Sequence, residues 1–305
     1  MRSFVASVGI FVALIAGFAG AAQAGDSDST TDFCLNIPPD QAVGFVPLPE
    51  GDVFCPLIAD PKEAHSFASY VRGSSSSPLG TDIGSVGIGD RLGIARWGGP
   101  RPGEGVQFGL EGAVFAQFDL NTPSDDLINA DYLVGVPITL RRGGWSSRIR
   151  IFHQSSHLGD EFVLRSRIQR ENFAFEAVEG ILSFDWGPLR AYGGGEYVFN
   201  GRPSEVETRV VHGGVEIRPK VTLAPLGQKA AIRWVAAGDV KAVQQLDWTP
   251  AWSARTGFVV GPPRPFAHAV RTWSILGEYY DGPSPYGQFF HEDVKYYGVG
   301  LHVLL

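Results

Sequence analysis

From about residue 65 to the end of the chain, apolar and polar side chains alternate one by one, and this period of two limits what the chain can fold into. Between Gly105 and Leu120, one face collects Val106, Phe108, Leu110, Val114, Ala116, Phe118 and Leu120, and the other Gln107, Glu111, Gln117 and Asp119. Tyr132, Val134, Val136, Ile138 and Leu140 likewise oppose Thr139 and Arg141. Further on, Ile232, Trp234, Ala236 and Val240 oppose Arg233, Asp239 and Lys241. Strands with one apolar and one charged face suit a barrel in lipid, apolar outside and polar within.

The alternation predicts an all-β fold, a transmembrane antiparallel barrel of about twelve strands. They lie near 65–73, 84–98, 104–120, 131–142, 145–157, 171–186, 188–200, 206–218, 229–241, 250–261, 269–281 and 292–305. An even number puts both chain ends in the periplasm of a bacterial outer membrane. The inward set includes Arg148, Arg150, Arg190, Glu196, Glu216, Arg218, Arg233, Asp239 and Arg255. With both signs interleaved, it reads as a packed ionic network rather than a wide pore. Trp145, Trp186, Trp234, Trp252 and Trp273 read as interface anchors. A mean hydropathy of +0.01 is what alternating strands average to. The net charge of -7 offers no basic patch, which argues against nucleic acid as a partner.

Ahead of the barrel, residues 1–24 have the grammar of a secretory signal peptide: Arg2, an apolar run from Val8 to Phe18, and small residues at Ala22-Gln23-Ala24. The mature chain then begins near Gly25, and since Cys34 lies well downstream, a lipoprotein is not expected. No later apolar run reaches the roughly 20 residues of a membrane helix. Residues 25–63 carry Pro38, Pro39, Pro47, Pro49 and Pro56 and read as a short, irregular periplasmic segment folded against the mouth of a barrel that occupies 64–305. Cys34 and Cys55 are the chain's two cysteines, and in an exported protein they are expected to form a disulfide.

Chemistry enters in the segment from Trp145 to His157. Ile149, Ile151, His153, Ser155 and His157 share one face, and Arg148, Arg150 and Gln154 the other. Arginines in the lumen put His153 and Ser155 against lipid; the reverse assignment puts two arginines into lipid at roughly 2–4 kcal/mol each near the midplane. Residues i and i+2 of a strand are roughly 6.5–7 Å apart on one face. His153 can therefore serve as general base to the Ser155 hydroxyl. Asn172 and Glu176, on the following strand, are the candidates to orient the imidazole. If Trp145 and Trp186 both mark the periplasmic interface, the hairpin turns near Arg165 and Ser155 faces Glu176; an uneven loop shifts the pairing toward Asn172. The bland alternative keeps His153 and Ser155 as polar residues of the outer interface. His65, His212, His268, His291 and His302 have no partner spacing and read as loop or lumen residues.

His153-x-Ser155 followed by Asn172 resembles the active site of the outer-membrane phospholipase A family, twelve-stranded barrels with a His/Ser/Asn triad on the lipid side. Tyr286-Gly287-Gln288 and Tyr297-Gly-Val-Gly-Leu301 echo that family's ending. A Glu in the third position resembles the lipid A deacylase barrels instead. The string His153-Gln-Ser-Ser-His-Leu-Gly-Asp-Glu161, with Glu278-Tyr-Tyr-Asp-Gly282, resembles over most of the mature chain a family of outer-membrane proteins of unknown function. The enzyme resemblances imply an acyl ester hydrolase with phospholipid or lipid A as partner. They also imply a calcium cofactor that Asp160 and Glu161 could bind, although these equally read as solvated loop carboxylates. The sequence departs from the phospholipase motif at Ser156-His157, where that motif has Asn-Gly, so the oxyanion donors do not carry over. The last strand, with Tyr297, Val299, Leu301, Val303 and Leu305 on one face, resembles the signal read by the outer-membrane assembly machinery, with Leu305 where Phe is usual. A homodimer and a monomer read alike. The alternative function is a non-catalytic barrel, either structural or a narrow channel.

Protein recovered from the envelope should have its N terminus near Gly25 by intact mass. Retention of residues 1–24 would contradict the reading of an export signal.

Overall fold

In the computed structural model, which describes residues 32–73, 80–168, 170–206, 208–219, 221–262 and 272–304, the alternating segments pair into one closed antiparallel barrel of twelve strands. Residues 1–24, read above as a signal peptide, lie outside the described residues, as do Gly25, His268 and Leu305. A short strand β1 (Gly44–Pro47) precedes the barrel, which starts with β2 (Ser66–Gly73), β3 (Asp82–Gly98), β4 (Gly105–Asp119) and β5 (Asp126–Arg142). It continues through β6 (Trp145–Leu158), β7 (Phe173–Trp186), β8 (Leu189–Arg202) and β9 (Arg209–Ile217). After a short β10 (Ala224–Leu226) come β11 (Ala230–Val243), β12 (Pro250–Gly261), β13 (Thr272–Pro283) and β14 (Asp293–Leu304). Each barrel strand pairs with the next, and β14 pairs with β2, as in Leu301 opposite Ala68, so no edge is left open.

Every predicted strand is present. The largest shift is the start of β5, which begins at Asp126 rather than residue 131. There, Ile128, Asn129, Ala130 and Asp131 are all buried: a bulge at Ile128 breaks the β4–β5 ladder, and helix α2 (Asp160–Ser166) packs on this end of the strand. A first short helix, α1, covers Asp32–Leu35.

The apolar face points outward. Two-residue turns at Gly143-Gly144 and Gly187-Pro188 join β5 to β6 and β7 to β8, with Gly143 and Gly187 in the left-handed region that favours glycine. At this end of the barrel, exposed Trp97, Trp145, Trp186, Trp234 and Trp273 form a girdle. Toward the opposite end, Tyr70, Tyr132, Tyr197, Tyr279, Tyr297 and Trp252 form a second. Between them the surface is aliphatic, with Ile88, Val134, Ile151, Val215 and Val299 exposed. Two aromatic belts around an apolar band are the surface that a bilayer selects.

The lumen is filled by the chain's own N-terminal segment. Rather than stopping at the mouth, residues from Val53 to Glu63 run inside the barrel, because the inward arginines need acceptors and a Pro-rich segment cannot satisfy its own carbonyls. Arg141 Nε donates to Val53 O (2.7 Å), Arg190 Nη1 to Cys55 O (3.0 Å), Arg218 Nη2 to Pro56 O (2.9 Å) and Arg255 Nη1 to Ile58 O (2.9 Å). In return, Ile58 N donates to Glu216 Oε1 (2.8 Å) and Lys62 Nζ to Asp131 Oδ2 (2.6 Å). Glu63 accepts two hydrogen bonds from Arg148 Nη1, both 2.9 Å, and pairs with Arg91. Burial alone would raise the Glu63 carboxyl, but Arg148 and Arg91 outweigh it and hold its pKa below the ordinary value. The guanidinium groups of Arg148 (5.1 Å) and Arg190 (4.7 Å) both lie over the Phe54 ring. Near the start of this plug, Cys55 forms the expected disulfide with Cys34, with Cα atoms 5.5 Å apart.

Val299 is half exposed at mid-strand, whereas an added Cβ on its neighbour Gly300 would lie 2.2 Å from both Glu278 Oε1 and Ser69 Oγ in the lumen. Val299→Arg should therefore cost roughly 2–4 kcal/mol in lipid and impair barrel assembly. Val299→Thr should assemble normally. Heat-modifiable migration of the two variants checks this, and normal assembly of Val299→Arg would show the outward face to be misassigned.

Candidate active site

Four charges in the lumen fix which way strand β6 faces. Arg148 Nε donates to Glu179 Oε1 (3.0 Å), Arg150 Nη2 to Glu179 Oε2 (2.7 Å), and Arg150 Nη1 to Glu111 Oε1 (2.8 Å). With Arg148 and Arg150 turned inward and fully buried, the pleat turns Ile149, Ile151, His153, Ser155 and His157 outward.

The register sets His153 directly opposite Glu176 and beside Val134, and His153 Nδ1 hydrogen-bonds Glu176 Oε1 at 2.9 Å. The pairing differs by two residues from the expected one, in which Ser155 faces Glu176; Ser155 instead faces Ala174. Helix α2 takes up part of the connection, and the hairpin turns one residue earlier than Arg165. A shift of one residue in the midpoint moves the pairing by two, so each side chain keeps its face. Asn172 is exposed and precedes the first residue of β7. It lies four positions from Glu176, roughly 13 Å along the chain. The structure thus brings Glu176 to the imidazole and leaves Asn172 apart from it.

A residue that the alternation did not reveal joins the pair. Between Glu176 and Ala177 the β7–β8 ladder contains a bulge: Ala177 faces Val198, whereas Glu176 faces Asn200. Phe199 is the extra residue. In an unbroken ladder Phe199 would stand beside Glu176; the bulge substitutes Asn200, whose Nδ2 donates to Glu176 Oε2. His153, Glu176 and Asn200 form a chain across three strands on the outside of the barrel. The imidazole is 46% exposed and the carboxylate 35%, so an incoming ligand can reach both. Ser155 is partly exposed on the same face, between Tyr132 and Ala174, and its Oγ makes no hydrogen bond among the described residues. His157, one further position out, packs edge-on against Tyr132 with ring centroids 5.8 Å apart. Ser156 points inward, where its Oγ bonds Asp131 and accepts from Gln288 N (3.2 Å).

Asp160 and Glu161 open helix α2 and are exposed, with Asp160 paired to Arg170. Adjacent helical positions do not face each other, so the two carboxylates do not converge on a common ion. Inside the lumen, Glu179, Glu196 and His212 bring ligand atoms within 4.8 Å of one another. Their charge is already met: Glu179 by Arg148 and Arg150, Glu196 by Lys241 at 3.1 Å, while His212 Nε2 bonds Asp239 at 2.7 Å. Neither group fits a calcium ion as it stands, and no step is assigned to one.

Residues 20–304 match a family described as proteins of unknown function, DUF1207. The chain belongs to this family. No curated protein matches it. Among solved structures, it is similar to outer membrane phospholipase A from Escherichia coli, with 11% identity, a TM-score of 0.53, and coverage of 79% of this chain and 90% of that one. It is similar also to a Salmonella typhi outer membrane phospholipase solved as a dimer with bound calcium, at 12% identity and a TM-score of 0.51, over 81% of this chain and 94% of that one. An active-site Asn-to-Ala mutant of the Escherichia coli enzyme gives 12% identity and a TM-score of 0.53, over 82% and 93%. At such identity the likeness is one of fold, a twelve-stranded barrel shared by this DUF1207 protein and the phospholipases.

Proposed function

We propose that this DUF1207 protein is an acyl ester hydrolase of the bacterial outer membrane, with its site on the lipid-facing wall of the barrel. The observation that carries the reading is the His153 Nδ1 to Glu176 Oε1 hydrogen bond of 2.9 Å on the outer wall above Ile149 and Ile151, with Ser155 two residues along the same strand. Isolated polar groups facing lipid are costly and mark function by default.

The height of the site supports it. The short turns beside Trp145 and Trp186 mark the periplasmic interface. The ten residues from Trp145 to Ser155, at about 3.3 Å each and a tilt near 40°, climb roughly 25 Å, the height of a barrel's apolar band. Ser155 then sits where the outer leaflet changes from acyl chain to headgroup, the level of the ester bonds of phospholipid and lipid A.

The chemistry follows from the hydrogen bonds. Glu176 accepts from His153 Nδ1–H and leaves Nε2 free of its proton, the tautomer a general base needs. Asn200 holds the second carboxylate oxygen and fixes the rotamer of Glu176. His153 Nε2 takes the Ser155 proton as Oγ attacks the ester carbonyl. It returns the proton to the departing alcohol, and water cleaves the acyl-serine in a second turn of the same steps. The filled lumen weighs against the alternative of a narrow channel, since Phe54, Asp60 and Glu63 occupy its centre, all buried.

Ser155→Ala should abolish cleavage of phospholipid or lipid A while the barrel stays heat-modifiable. His153→Ala should lower the rate by about 10²–10⁴-fold. Glu176→Gln should cost more than Asn172→Ala. Assay of the purified barrel in micelles, with and without calcium, checks this; wild-type protein without serine-dependent hydrolysis would leave the non-catalytic barrel as the reading.

A further inference from the structure

The bulge that brings Asn200 to Glu176 also turns Arg202 outward, one ladder row further toward the headgroups. That row runs Tyr132, Ser155, Ala174, Arg202 across β5, β6, β7 and β8. Its orientation is set by neighbours of opposite parity: Phe173 and Gly201 are buried, so Ala174 and Arg202 face out, and Arg202 is exposed. Two strand spacings, roughly 9.6 Å, separate the backbones of Ser155 and Arg202. Among the described residues of this row, the only side chain between them is the methyl group of Ala174. Among the described side chains, Arg202 has no carboxylate partner. A cation on a barrel's outer wall costs about 0–1 kcal/mol near the interface against 2–4 at mid-depth, so the position tolerates arginine only at the headgroup level.

A guanidinium beside a nucleophile at that level has an evident counter-charge. Guanidinium groups bind phosphate through paired, charge-assisted hydrogen bonds, and in a phosphorylated lipid the acyl ester and the phosphate are about a glycerol's length apart. We propose that Arg202 binds the phosphate of the lipid whose ester reaches Ser155, so that the site selects phosphorylated lipids over neutral ones. The ester half of this statement rests on the hydrolase reading; the phosphate half does not. Glycerophospholipid and lipid A share the phosphate, and the experiment separates them.

The test has a binding arm and a kinetic arm. Barrel carrying Ser155→Ala is purified in micelles containing phosphatidylethanolamine, lipid A and diacylglycerol, and retained lipid is weighed by native mass spectrometry. Phosphorylated lipid should be retained about tenfold or more over diacylglycerol, a factor that one charged hydrogen-bonded contact supplies. Arg202→Gln in that background should remove the preference, Arg202→Lys should keep part of it, and Arg209→Gln, an exposed arginine on β9 outside this row, should leave it unchanged. The ratio of lipid A to phosphatidylethanolamine identifies the source. With Ser155 intact, Arg202→Gln should lower kcat/KM on the preferred phosphorylated lipid about tenfold more than on a neutral ester, mainly through KM. Absence of a preference, or a preference that survives Arg202→Gln, overturns the proposal, as does an equal loss on both esters. Arg202-dependent retention without any hydrolysis by wild-type protein would overturn the hydrolase reading and leave the phosphate site standing.

Discussion

The arrangement of this barrel depends on burying arginine. Arg148 and Arg150 share the carboxylate of Glu179, and Glu63 and Glu111 complete their pairing. Breaking such a buried pair by removing one partner typically costs 3–5 kcal/mol, so strand β6 has one permitted face and the pleat does the rest. Because the arginines point in, His153 and Ser155 point out. The same requirement explains the N-terminal segment. Arginines from β5, β8 and β12 and from the end of β9 donate also to backbone, to the carbonyls of Val53, Cys55, Pro56 and Ile58. The plug serves as the arginines' hydrogen-bond partner, and its filling of the lumen follows from that.

Much of this was legible in the sequence because a barrel strand in lipid carries its environment in every second residue. The inward set of Arg148, Arg190, Glu216 and Asp239 and the outward set of Tyr132, Val134, Val299 and Leu301 could be assigned from alternation alone. The signal fails where a strand is bulged and covered, as at Ile128–Asp131, and there β5 begins five residues before the alternation does. It fails also for register. Pairing depends on how many residues the β6–β7 connection uses, and a seven-residue helix inside it has no period-two signature. Asn200 was hidden for a third reason: a one-residue bulge reverses parity beyond Phe199, and nothing in the local composition announces it.

The proposed site is accordingly a product of the ladder rather than of a loop. His153, Glu176 and Asn200 stand on three consecutive strands whose spacing is fixed by backbone hydrogen bonds, and the row above them holds Ser155 and Arg202. Rigid strands position a base and its acid well. The family likeness to the phospholipase barrels is one of fold, and the third member differs in kind: a carboxylate stands beside His153 where the resemblance implied Asn172.

The central claim is that the imidazole oriented by Glu176 activates the Ser155 hydroxyl at the lipid face. The most direct measurement is the intact mass of the barrel after treatment with a serine-reactive phosphonate in micelles, followed by peptide mapping. The account predicts a single adduct on Ser155 in wild-type protein, strongly slowed by His153→Ala and by Glu176→Gln. Wild-type protein that stays unlabelled, or Ser155 labelled at the same rate without His153 and Glu176, would contradict it.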